Sequence, residues 1–129
     1  MLGWLFLTQR QRDALTYLES FRSQVPDQFY AAARQSLRSA SQARQLDAAI
    51  VVDRTSVQAF VLNILRHRLA QQITSGHNHW HRGVLSPEGE RLEQVWQNIV
   101  ERGLTDGYFT PQQAAEYRNW LSQEIAAWG

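Results

Sequence analysis

The sequence predicts an all-α protein, a small bundle of four to five helices with an irregular His-rich loop at about 75–85. Three observations carry that reading. Apolar residues recur every three to four positions along most of the chain. Ser, Thr, Asp and Pro stand where those runs begin. Short loops separate the runs, the pattern of helices packed around a shared interior.

The first helix is expected from about Thr8 to Gln24. Thr8 can cap it, and Ala14, Leu15, Leu18, Phe21 and Val25 fall at helical spacing. Pro26 interrupts the pattern and is suited to the first position of the next helix. That second helix is expected to run unbroken from Pro26 to the mid-forties, with Phe29, Tyr30, Ala33, Leu37 and Ala40 inward and a wide polar face. Ile50, Val51 and Val52 are β-branched, so a short strand and a bridge between helices both fit there. Asp53 is placed to cap a third helix, whose apolar face holds Val57, Phe60, Val61, Ile64, Leu65, Leu69 and Ile73. Ser86 and Pro87 open a fourth helix, with Leu92, Val95, Trp96 and Ile99 inward. Gly103 is expected at its C-terminal turn, and Asp106-Gly107 marks the connection. Thr110 and Gln113 have capping-box spacing for a fifth helix, with Ala114, Tyr117, Leu121, Ile125 and Trp128 on its inner side.

The 129 residues are one domain's worth, read as a single helical domain 1–129 with 1–7 as an apolar N-terminal arm. A hydrophobic share of 43% with 19% charged residues describes a folding chain, not a disordered one. Cys is absent, which removes disulfides, thiolate metal sites and a Cys nucleophile, and fits a cytoplasmic location. Leu2 to Leu7 is too short for a signal-peptide core and lacks a basic flank. No uninterrupted apolar run is longer than that from Ala48 to Val52, far below the roughly 20 residues that cross a bilayer, so no membrane is expected.

Net charge is +1, unevenly spread. Residues 1–82 carry 10 Arg against 5 acids, and residues 83–129 carry 3 Arg against 7 acids. All basic residues are Arg, the cation suited to bidentate and stacking contacts. Arg34 and Arg38 are one helical turn apart and Arg44 follows, so an unbroken helix would align them to track a phosphate backbone. A solvated face is the plainer use of such residues. Arg66 and Arg68 diverge by about 200° around a helix and do not make one clamp.

His77, His79 and His81 alternate around Asn78 and Trp80. On an extended segment, alternate residues point to one side about 6.5–7 Å apart, so a bent loop could offer two imidazoles to Zn²⁺, Ni²⁺ or Cu²⁺. The plainer reading is a polar loop, and no cofactor is expected. Leu7 to Leu18 resembles the first helix of some winged-helix repressors, but no turn and recognition helix follow. Arg102 to Gln113 resembles a degenerate EF-hand loop through Asp106, Gly107 and Phe109. Calcium would need carboxylates at both ends, where Arg102 and Gln113 stand. The chain has no Gly-rich phosphate loop, nucleophile elbow or His-Glu-x-x-His helix.

The function expected from these features is a non-catalytic protein-protein interaction or assembly module, such as an adaptor, subunit or inhibitor. Trp and Arg, frequent here, are enriched at binding hot spots. Trp4 and Phe6 in the N-terminal arm, with Arg34, Arg38 and Arg44, are the candidate contacts. A protein partner or self-association is the leading expectation. Nucleic acid on the Arg-rich face is the alternative, and a metal-dependent activity at His77, His79 and His81 is a third.

Overall fold

The computed structural model describes residues 7–75, 80–81, 84–85 and 87–128. It is all-helical in character, as the periodicity predicts. Among the described residues there are six helices, α1 (Gln9–Glu19), α2 (Asp27–Leu37), α3 (Ala40–Val51), α4 (Val57–Ser75), α5 (Pro87–Thr105) and α6 (Pro111–Trp128). A two-residue antiparallel ladder pairs β1 (Trp80–His81) with β2 (Val84–Leu85), Trp80 opposite Leu85 and His81 opposite Val84. The chain divides into two compact units, residues 1–64 and 65–129.

In the first unit α1, α2 and α3 pack on one another. Thr8 caps α1 with a complete capping box. Its hydroxyl accepts the Gln11 N–H at 3.1 Å, and its own N–H donates to Gln11 Oε1 at 3.0 Å. The expected helix to Gln24 stops being α-helical at Glu19. Beyond it the chain tightens into turns in which Ser20, Phe21, Arg22 and Gln24 each donate to the carbonyl three residues back. Phe21 and Val25 are buried all the same. Pro26 lies one place earlier than expected, at the N-cap of α2, with Asp27 in the first turn where a carboxylate favours the helix dipole.

The unbroken second helix is corrected by the structure. It ends at Leu37, with Arg38 as C-cap, and α3 starts afresh after Ser39. Ser39 Oγ accepts the Gln42 N–H at 3.1 Å and donates to the Ser36 carbonyl at 2.8 Å, so one hydroxyl serves both ends of the break. The break is held from outside by Gln11, a polar side chain only 4% exposed. Its Nε2 donates to the Leu37 carbonyl at 3.0 Å and the Ser39 carbonyl at 3.3 Å. A buried amide is tolerated only with partners of this kind.

Ile50 and Val51 belong to α3, not to a strand, and Val52 is its C-cap. Asp53 does not cap the next helix. Arg54 takes a left-handed turn at φ 55, and the Thr55 N–H reaches back to the Ala49 carbonyl at 2.9 Å. Ser56 then caps α4, accepting the Ala59 N–H at 3.1 Å.

In the second unit α5 packs on α6, and the ladder's strands lie against them. Leu92, Val95, Trp96 and Ile99 of α5 are buried as expected, together with Val100. Gly103 is not the terminal glycine. It lies inside α5, where a Cβ would come within 2.1 Å of the Phe109 ring. Gly107 holds the terminal position instead, at φ 81. Its N–H donates to the Leu104 carbonyl at 3.2 Å and that of Tyr108 to the Gly103 carbonyl at 2.8 Å, the pair of bonds that defines a Schellman ending. Asp106 ion-pairs with Arg102 at 3.3 Å, so this turn is a helix cap and not a cation loop. Thr110 and Gln113 then exchange both capping-box bonds, at 2.9 and 3.1 Å, to open α6.

Candidate functional site

The predicted contact residues do not assemble into one surface. Trp4 and Phe6 lie outside the described residues. Arg34 is exposed in the last turn of α2, Arg38 is half-buried at its C-cap, and Arg44 is exposed on α3. The break at Ser39 removes the single helical face expected to align the three. His77 and His79 lie outside the described residues, and His81 sits in β1. Among the described residues no three His, Cys, Asp or Glu are grouped to hold a metal ion.

Two clusters invisible in the residue spacing are brought together by folding. In the first unit the Tyr30 hydroxyl donates to the Glu19 carboxylate across α1 and α2. The Arg22 guanidinium lies 5.3 Å from the Tyr30 ring centre and 3.5 Å from Glu19. The Tyr30 bond holds the Glu19 carboxyl below its ordinary range. Burial, then Glu19, push the Tyr30 phenol up. Both groups therefore keep their ordinary neutral-pH forms, ionised Glu19 and protonated Tyr30, which suits a structural tie rather than proton transfer.

In the second unit Tyr117 is the meeting point. Arg66 of α4 stands 4.2 Å above its ring, and Phe109 meets it edge-on at 5.0 Å. The Trp96 indole N–H donates to the Tyr117 carbonyl at 3.0 Å, and Trp96 and Trp120 stack with centres 4.7 Å apart. Next to Arg66, partial burial and then the Arg66 charge lower the His67 pKa, so its imidazole is neutral at pH 7. Within the second unit this cluster ties the α5–α6 hairpin to Arg66.

The remaining feature is the outer face of α3. Of its twelve residues only Leu46 is buried. Ser41, Arg44, Gln45, Ala48 and Val51 are exposed at spacings of three and four, with Val52 next to them. The face is polar at the N-terminal end and apolar at the C-terminal end. Val51 is 67% exposed and Val52 74%, the large hydrophobics left in solvent among the described residues. The apolar run Ala48 to Val52 therefore ends on the surface. Spacing alone hides this, because a break at Ser39 resets the phase of the helix that carries the run.

No helix of the described residues is long and apolar enough to cross a membrane. The chain matches no protein-family model, no curated protein and no solved structure.

Proposed function

We propose that this protein is a non-catalytic interaction or assembly module that docks through the outer face of α3. One observation carries the reading: Val51 and Val52 stand in solvent at the end of a five-residue apolar run, Ala48 to Val52. Scattered single hydrophobics are ordinary on a surface. Two adjacent β-branched residues continuing a stripe of helical spacing form the kind of face that a groove or a second helix covers. Burying both on a partner would contribute about 1.5–3 kcal/mol each. The catalytic alternative has less to stand on, because the clusters at Tyr30 and Tyr117 tie helices together.

The test compares the wild-type chain with Val51→Ser/Val52→Ser as baits in extract of the producing cells. The module reading expects a stoichiometric protein held by wild type and lost from the variant, with equal helix content in both. The same protein held equally by both baits would overturn docking on this face. Nucleic acid is the second arm. Exposed Arg34 and Arg44 predict retention that falls steeply between low and moderate salt. Nuclease-sensitive capture that is indifferent to the Val substitutions would favour that reading.

A further inference from the structure

Given that α3 is a docking face, its chemistry specifies one occupant. We infer that the partner is a second copy of this chain, with the two α3 helices packed antiparallel about a two-fold axis near Ala48. The inference rests on the module reading and goes beyond it by naming what covers the face.

A two-fold contact requires a surface complementary to itself, in which residues equidistant from the axis meet each other. The α3 stripe meets that requirement. Ala48 is exposed in its C-terminal half, four residues from both Arg44 and Val52, and so small a side chain lets two helix backbones approach closely. Counting outward from Ala48, Arg44 on one copy falls opposite Val52 on the other, and Gln45 opposite Val51. The valines of each copy would then cover the partner's Ala48 and the apolar stem of its Arg44.

Charge follows the same symmetry. Arg44 would reach the C-terminal end of the partner's α3. The last carbonyls of that helix concentrate negative charge there, and α3 has no basic residue of its own in its last turn. Asp53, exposed, follows directly after the C-cap Val52. Among the described residues neither Arg44 nor Asp53 forms an ion pair within the chain, whereas Asp47 of α3 is already paired with Arg10 of α1 at 3.1 Å. Arg54 is the like charge nearby. It leaves the helix through its left-handed turn at φ 55 and would fall level with Gln42, past the end of the Arg44–Asp53 match. Asp53 lies one residue past the position opposite Arg44, within reach of the long Arg side chain, so two Arg44–Asp53 pairs would form per dimer, each at the rim of a small apolar centre, the arrangement that fixes register.

Sedimentation equilibrium of the full chain from about 1 μM to about 1 mM reads the association directly. Expected is a reversible monomer–dimer equilibrium with no larger species. Arg44→Glu and Asp53→Arg should each weaken it by roughly tenfold or more, because a like-charge pair replaces an attractive one twice per dimer. The double variant restores opposite charges with their order reversed and should recover part of the loss, short of wild type because Glu at position 44 then faces the carbonyl end of the partner's α3. Arg44→Gln removes the charge while keeping a polar, helix-compatible side chain and should weaken association in the same direction, with unchanged helix content separating lost charge from a folding defect. Far-UV circular dichroism checks each variant. A wild-type chain that stays monomeric throughout would overturn the second-copy inference while leaving the module reading to the capture experiment. A dimer that ignores the single reversals, or that the double reversal does not rescue, would overturn it as well.

Discussion

The α5–α6 hairpin and α3 both carry apolar residues at helical spacing and dispose of them in opposite ways. In the hairpin the large apolar side chains turn inward. Trp96, Ile99, Val100, Phe109 and Leu121 are all buried, and the connecting turn is closed by backbone bonds from Gly107 and Tyr108. In α3 one side chain of twelve is buried and the β-branched pair faces out. The hairpin's sequence satisfies its own fold, whereas α3 leaves apolar surface that nothing among the described residues covers. That difference separates residues kept for stability from those available for contact.

Trp96 gives the sharpest test of the hairpin side. It is nearly inaccessible, stacks on Trp120 and donates to the Tyr117 carbonyl. Trp96→Ala should cost about 3–5 kcal/mol of unfolding free energy in urea titration, the range for deleting a buried aromatic. A loss under about 1 kcal/mol would mean the site collapses around the cavity and that the contrast with α3 is weaker than drawn.

Gly103 tests the same hairpin at one atom. A methyl group there would overlap the Phe109 ring at 2.1 Å, and that ring is confined by Tyr117. Gly103→Ala gains about 1 kcal/mol of helix propensity and loses more to overpacking, so a net destabilisation of about 1–3 kcal/mol is expected. In a Phe109→Ala background the overlap is gone and the same substitution should be neutral or stabilising. A double-mutant cycle with no coupling would show that close approach is not why glycine stands there.

These two regions also differ in how far the sequence revealed them. The hairpin was legible because its signals are local. Thr110 and Gln113 cap as their spacing requires, Asp106-Gly107 turns, and Leu92, Val95, Trp96 and Ile99 keep one helical phase. The terminal glycine is Gly107 and not the expected Gly103; two glycines four apart both suit a helix end. The left-handed backbone of Gly107 and the closeness of Phe109 to Gly103 tell them apart.

The region from Arg38 to Ser56 was legible only in part. Arg38-Ser39-Ala40 contains no Pro or Gly, so nothing local demands a break. It is stabilised by Gln11, 28 positions before Ser39, and a Gln in a helical pattern reads as surface. Asp53 and Ser56 are both competent caps, and the left-handed turn at Arg54 decides between them. The candidate site suffered most from this. Once α3 is a separate helix, the expected alignment of Arg34, Arg38 and Arg44 is lost, and Arg44 joins Ala48, Val51 and Val52 instead. A surface defined by phase cannot be read until the break that sets the phase is known.

The smallest expected effect is the most discriminating for α3. If Val51 and Val52 serve contact rather than core, replacing both with Ser should leave the isolated chain's stability within about 0.5 kcal/mol, as for surface positions generally. The measurement belongs at the lowest usable protein concentration, because association with a second copy would itself raise apparent stability by mass action. At high concentration the wild type should then gain stability that the variant does not. A loss of about 2 kcal/mol or more even at high dilution would place these valines in the first unit's own core, and the contrast with the hairpin would fail.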